Sequence, residues 1–184
     1  MSLDQLPADL PVPVDDGACD HLRGTRFPEI HLPSTGGDTI NIRRQSGYTV
    51  IYIYPMTGKP NVALPEGWES ITGARGCTPQ SCSFRDLHGE LKQYANIYGL
   101  SSQETDYQQE AKSRLHLPFE LLSDHSFLLK QALSLPTFTV EGIQRYKRVT
   151  LIVKDGVIQK VFYPVFPPND NAEKVLNWFT SMNN

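Results

Sequence analysis

Apolar and polar positions change rhythm along this chain in a way that separates strands from helices. Residues 27–32 alternate apolar and polar side chains, Ser34-Thr35-Gly36-Gly37 supplies a turn, and residues 39–42 alternate again. That is a β-hairpin signal. Residues 49–54 are continuously β-branched or aromatic, as a strand covered on both faces should be, and Pro55 ends the run. Gly58, Pro60, Pro65, Gly67, Gly73 and Gly76 punctuate the next stretch, so residues 55–76 read as one long loop. Structureless segments of that length are uncommon in compact domains and tend to be functional or mobile.

Beyond the loop, residues 78–97 suit a helix, because Pro79 fits a first turn and Phe84, Leu87, Leu91 and Tyr94 share one face. A short strand is expected at 97–100, an amphipathic helix at 104–115, a weak strand at 119–122 and a short helix at 126–133. Residues 137–140, 149–153 and 157–162 are strand-like, the last two joined through an Asp155-Gly156 turn. Residues 171–182 close as a helix with Val175, Leu176 and Phe179 inward. Strands and helices alternate early and a hairpin comes late, which predicts an α/β fold with a mixed central sheet.

A chain of 184 residues supports one domain with a substantial core. Residues 1–24, acidic and carrying Pro7, Pro11 and Pro13, read as a loosely ordered leader, and residues 25–184 as the domain. A formal net charge of −3 gives no electrostatic reason to expect nucleic acid or an anionic membrane as partner. The leader has no apolar signal-peptide core, and the most apolar run, 50–54, is far too short to cross a bilayer. Three cysteines, an odd count, argue against a secreted disulfide framework. A reducing, cytoplasmic setting is therefore the expectation, and there a close cysteine pair suggests redox chemistry or metal binding.

The informative segment is Gly76-Cys77-Thr78-Pro79-Gln80-Ser81-Cys82-Ser83-Phe84-Arg85-Asp86. It delivers Cys77 to the first turn of a helix, where unpaired N–H groups and the positive end of the helix dipole favour thiolate over thiol. Thiolate is the nucleophilic form, and attack on a peroxide bond gives a sulfenic acid that condenses with a second thiol. Cys82 lies five residues on, which in an intact helix separates the Cα atoms by roughly 9 Å. A disulfide needs them within about 7 Å. The spacing thus predicts that the first turns of this helix unwind if the two cysteines pair.

Gly76-Cys77-Thr78-x-x-x-Cys82-x-Phe84-Arg85-Asp86 resembles the active-site signature of the peroxiredoxins, in their Q-type or bacterioferritin-comigratory subgroup. Tyr52-Ile53-Tyr54-Pro55 is similar to that family's strand before the active site, and residues 27–33 to its opening hairpin. Leu121-Leu122-Ser123-Asp124 matches a frequent segment, and residues 148–153 resemble the strand bearing the active-site arginine. The resemblance implies a thioredoxin-like fold with an amino-terminal β-hairpin extension, and a peroxidase that reduces hydrogen peroxide or organic hydroperoxides. It implies that Cys77 is peroxidatic, that Cys82 resolves it within the same chain, and that Arg148 stabilises the thiolate and orients the peroxide. Thioredoxin or a similar dithiol would recycle the enzyme. No metal, haem or flavin is required, and a monomer or weak homodimer is expected.

The family usually carries a proline and a threonine or serine at fixed distances before its cysteine; here Ser70 and Ala74 stand in those places. Residues 56–75 look like an insertion, and Pro55 keeps the strand-end context of the family's proline. Pro55, Gly76 and Thr72 are accordingly the candidate substrate-binding residues, with Thr57 an equal alternative to Thr72 for the hydroxyl. Trp68 is read as the anchor of the loop, and Cys19 as a bystander thiol in the leader. A zinc site is a weaker reading of Cys-x4-Cys, since only Cys19-x-His21 could supply further ligands. Two other functions stay open: a thiol–disulfide oxidoreductase, disfavoured by the four-residue spacer, and a redox-sensing module whose disulfide alters the 55–76 loop.

Overall fold

The computed structural model describes residues 2–183. Its centre is a five-stranded mixed sheet. Strand β3 (Tyr48–Ile53) runs parallel to β4 (Ala95–Ser101), which is parallel in turn to β5 (Leu121–Ser123). On its other side β3 is antiparallel to β8 (Val149–Lys154), and β8 pairs with β9 (Val157–Phe162), giving the order β5-β4-β3-β8-β9. Position β3 is central, which is why its sequence is apolar without interruption. Two small hairpins lie apart from this sheet: β1 (Leu32–Pro33) with β2 (Thr39–Ile40), and β6 (Thr137–Val140) with β7 (Ile143–Tyr146).

Alternation along β3 sorts two apolar layers. Val50, Tyr52 and Tyr54 join one buried cluster with Phe84 of helix α1 (Cys77–Asp86) and with Ala172, Val175 and Phe179 of helix α5 (Asn171–Ser181). Ile51 and Ile53 join the other, with Leu129 and Leu133 of helix α4 (Leu128–Leu133) and with Leu22, Phe27 and Ile42 from the amino-terminal part. Helix α3 (Thr105–Leu115) packs beside β5 and adds Leu115 to the first layer. Buried Asp124 stands at the start of α4, accepting hydrogen bonds from the Leu128 and Leu129 N–H groups and from the Tyr146 hydroxyl. No helix of the described residues is long and apolar enough to cross a membrane.

Three sequence expectations need correction. The helix expected over 78–97 stops at Asp86, a short helix α2 (His88–Leu91) comes next, and β4 already begins at Ala95. Leu87, at φ −96° and ψ 5°, breaks the helix, and full-length pairing of β4 with β3 from Tyr48↔Ala95 onward claims residues that local pattern assigns to helix. Strand β7 has no counterpart among the expected elements; its turn is Glu141-Gly142, both at positive φ, and Glu-Gly is a weaker hairpin signal than the Asp155-Gly156 turn of β8-β9. The leader is not loose where it meets the core: Cys19 and Leu22 are buried, and Gly24 N–H bonds the Ile158 carbonyl.

The long loop is ordered by a satellite core of its own. Trp68, within a single 3-10 turn (Trp68–Ser70), is buried with Ala74 and Val140, and Met56, Leu64, Ile71 and Phe138 pack around them. Trp68 is the anchor, and it holds the loop against the β6-β7 hairpin.

Candidate active site

The site is assembled where the loop enters α1. Gly76 caps the helix in a left-handed conformation, at φ +113°, and a methyl group there would sit 2.7 Å from Pro168 Cγ and 2.9 Å from Leu6 Cδ2. Only glycine meets both demands. Cys77 is the first helical residue, and the Gln80 N–H bonding the Gly76 carbonyl closes the first turn. The N–H groups of Cys77 and Thr78 have no carbonyl one turn earlier to bond, so the sulfur sits at the positive pole of the helix.

Arg148, immediately before β8, reaches this pole from the sheet. Its side chain is buried, and Nη2 donates to Cys77 Sγ at 3.3 Å and to the carbonyls of Gly73, Ala74 and Arg75 at 3.3, 3.1 and 3.2 Å. Three backbone carbonyls thus hold a permanent cation against one sulfur. Nη1 donates to Gln80 Oε1; Gln80 Nε2 donates to Asn171 Oδ1 at 3.0 Å, which also accepts from the Thr150 hydroxyl at 2.7 Å. This chain of buried polar groups ties α1, α5 and β8 together around the guanidinium. Gln80, Thr150 and Asn171 escaped sequence reading. Gln80 lies one helical turn beyond Cys77 and carried that much signal, whereas nothing local marks Thr150 or Asn171.

Cys77 is 4% exposed, and its Sγ lies 3.7 Å from the Ala74 carbonyl. The free space beside it is about 10 Å³, room for one water-sized group, and Leu3, Leu64, Trp68 and Arg75 are among the residues that line it. The same four residues form one wall of an open groove of about 1250 Å³ that also exposes Cys82, Arg85 and Arg114. Arg75 pins the cover in place, its Nη2 donating to the Ser2 carbonyl at 2.8 Å and the Gln5 carbonyl at 3.4 Å.

Cys82 lies half-buried on the same helix, and all three cysteines are free thiols. Burial pushes the Cys82 thiol up, with Arg85 opposing and Asp4 and Asp86 adding to the effect. Cys19 is further from ionisation still: burial, reinforced by Asp16, Asp15 and Asp20, raises it to about 12. Among the described residues no group of three or more His, Cys, Asp or Glu side chains could hold a metal ion.

Of the candidate substrate-binding residues, Pro55 is buried at the end of β3 and Gly76 adjoins the sulfur. Thr72 is exposed and lines a cavity of about 220 Å³ together with Arg148, Phe138, Lys147 and Tyr163, whereas the small space beside Cys77 is lined by other residues. Thr57 is buried, but Gln103 occupies it: the Thr57 hydroxyl and N–H donate to Gln103 Oε1 at 3.3 and 3.0 Å.

The family model for Redoxin matches residues 22–176. The chain belongs to the Redoxin family. It is similar to peroxiredoxins of the Q type. It is 27% identical over 165 residues to a chloroplastic peroxiredoxin Q of Oryza sativa subsp. japonica, covering 87% of this chain and 67% of the rice protein. A chloroplastic peroxiredoxin Q of Populus jackii is 26% identical over 165 residues, covering 87% and 68%. Among solved structures, the peroxidoxin BcpB of Mycobacterium tuberculosis superposes with a TM-score of 0.70 at 22% identity, covering 88% of this chain and 99% of that one. The bacterioferritin comigratory protein of Xanthomonas campestris gives 0.67 at 20% identity, covering 96% and 100%. The fold is thioredoxin-like with an amino-terminal hairpin, and this Redoxin family member is an enzyme.

Proposed function

We propose that this enzyme is a thiol peroxidase that reduces hydrogen peroxide or organic hydroperoxides through Cys77, closes a Cys77–Cys82 disulfide, and is recycled by thioredoxin or a similar dithiol. The observation that carries the reading is the buried Arg148 guanidinium 3.3 Å from a cysteine sulfur at a helix amino terminus.

Cys77, as thiolate, attacks one peroxide oxygen. A sulfur–oxygen bond forms, the O–O bond breaks, and the departing oxygen leaves with the bonding pair and takes a proton. Sulfur is oxidised by two electrons to sulfenic acid and the peroxide is reduced to an alcohol or water. Arg148 places fixed positive charge where the negative charge shifts from sulfur to oxygen, already oriented before reaction by its carbonyl and Gln80 partners.

Resolution demands motion. Cys77 and Cys82 belong to one continuous helix, so their Cα atoms are separated by roughly 9 Å. The first turns of α1 must open from Gly76 before Cys82 can displace water from the sulfenic acid. Cys82 then ionises more readily, since part of its burial is relieved. The external dithiol returns two electrons and two protons, which requires a reducing compartment; the cytoplasm is our assignment, with the enzyme acting as a monomer or weak homodimer.

Replacement of each cysteine tests the cycle. Cys77→Ser abolishes hydroperoxide consumption. Cys82→Ser permits one turnover and leaves a sulfenic acid that a dimedone-type probe captures at Cys77. Full dithiol-coupled turnover by Cys77→Ser refutes the proposal.

A further inference from the structure

Resting on the peroxidase reading, we propose that residues 2–6 of the leader clamp the start of α1, and that Leu6, as a positioning residue, sets how often Cys82 reaches the oxidised Cys77. The segment meets the helix start at three places. Leu6 Cδ2 lies 2.9 Å from where a methyl group on Gly76 would sit, so the glycine from which α1 opens is packed against Leu6 as well as Pro168. Leu3 lines the small space beside Cys77 together with Gly76 and Thr78. Asp4, Gln5 and Leu6 share the lining of a cavity of about 520 Å³ with Pro79, Cys82 and Ser83. Asp4 also borders the larger groove that exposes Cys82. Residues 2–6 thus span α1 from its capping glycine to its second cysteine.

The backbone of the segment is fastened two residues before Cys77. Buried Arg75 donates from Nη2 to the Ser2 and Gln5 carbonyls at 2.8 and 3.4 Å, and its Nη1 lies 3.6 Å from Glu69 Oε1. Helix opening runs against these contacts. The inner face of α1 is committed to the core through Phe84, stacked on Tyr52 at 4.4 Å. Cys82 faces the cavities that the leader borders, so Cys77 has to swing toward the leader to meet it. A contact present in the closed helix start and lost on opening lowers the open population. For a half-buried leucine side chain that factor is roughly 5- to 10-fold.

The clamp decides between two fates of the sulfenic acid. While it is shut, a second hydroperoxide adds an oxygen to the Cys77 sulfur, giving sulfinic acid and another alcohol or water. Once it opens, the Cys82 sulfur bonds the Cys77 sulfur, the sulfur–oxygen bond breaks, and hydroxide leaves as water with the Cys82 proton. The leader thereby governs how long the oxidised cysteine persists, and a shut clamp favours the irreversible product.

The test is single-turnover oxidation of the reduced full-length protein by hydrogen peroxide, quenched rapidly and read by intact mass as sulfenic acid, disulfide and sulfinic acid. Leu6→Ala should speed disulfide formation about 5- to 10-fold and lower the sulfinic fraction at excess peroxide in proportion. Oxidation of Cys77 itself should stay within about twofold of the parent. Leu6→Met, which restores the apolar contact, should return disulfide formation to the parent's rate. Ile30→Ala truncates a half-buried side chain in the apolar layer on the other face of the sheet and should leave that rate within about twofold. In the disulfide form of the parent, the Leu3 and Leu6 methyl resonances should move to random-coil positions. Unchanged disulfide formation in Leu6→Ala overturns the clamp, as does equal acceleration by Ile30→Ala or methyl resonances that stay in place. If peroxide yields no disulfide even in the parent, the peroxidase reading fails instead, and a disulfide made with diamide decides the clamp by the same methyl resonances.

Discussion

Two regions meet at Cys77, and they are built on different principles. Beneath the sulfur lies a scaffold of regular elements: the amino terminus of α1, the start of β8 and the start of α5, locked by Arg148, Gln80, Asn171 and Thr150. Above it lies a cover without regular structure: Leu3, Leu64 and Trp68, drawn from the leader and the 55–76 loop and pinned through Arg75. The scaffold is held by buried, charge-assisted hydrogen bonds. The cover is held by apolar contact and by two backbone carbonyls on one arginine. The two regions are joined at residues 73–75, whose carbonyls hold Arg148 while the Arg75 side chain pins the cover.

Variants can pull the two regions apart. The largest effect belongs to Arg148→Gln, which removes the cation from Cys77 and strands three carbonyls. Stopped-flow oxidation by hydrogen peroxide should fall by about 1,000-fold, as losses of preorganised charge do. Gly76→Ala comes next, because it forces an alanine to φ +113° and into Pro168; urea unfolding should show a loss of about 2–4 kcal/mol. Asn171→Ala leaves Gln80 and Thr150 without their acceptor and should cost about 1–3 kcal/mol, with a smaller slowing of oxidation than Arg148→Gln.

The cover should respond in the opposite sense. Arg75→Gln frees the Ser2 and Gln5 carbonyls; amide exchange at residues 2–6 should rise, and bulky hydroperoxides should gain about 2- to 5-fold in rate over hydrogen peroxide. Equal gains for both substrates would mean that the cover does not select. The mildest expected effect is one of pH on the Cys82 step. Because burial raises the Cys82 thiol, its reactive thiolate becomes more plentiful as pH climbs beyond the ordinary thiol range. The lifetime of the Cys77 sulfenic acid should therefore shorten steadily from pH 6 to pH 9.5, roughly the span across an ordinary thiol titration. A flat profile would show that helix opening, and not ionisation, limits the step.

Much of this was legible in residue order, and the reasons differ by element. Strand β3 announced itself because a central strand is apolar on both faces, and the β8-β9 turn because Asp155-Gly156 meets the positive φ it requires. Cys77, Cys82 and Arg148 are candidates because helix-start chemistry and a family-like segment mark them, and the fold brings Arg148 to 3.3 Å from the Cys77 sulfur. Helix α1 was drawn too long, since the pattern of Leu91 and Tyr94 is as compatible with a helix as with the turns before β4. The sequence left Thr72 and Thr57 as equal alternatives because position along a loop says little about which way the loop folds; Thr72 lines a cavity with Arg148, and Thr57 bonds Gln103. Thr150 and Asn171, which complete the polar chain to Arg148, carry no local mark at all.

The sequence by itself determined the alternation of elements, the strand that must lie innermost and the helix start that carries Cys77. These depend on interactions between residues near one another along the chain. Only the tertiary structure decided what holds the Arg148 guanidinium beside that cysteine, and that a leader residue and a tryptophan line the space next to it. Cys77 and Arg148 stand 71 residues apart in the chain, and no local periodicity encodes a meeting that depends on strand order across the sheet.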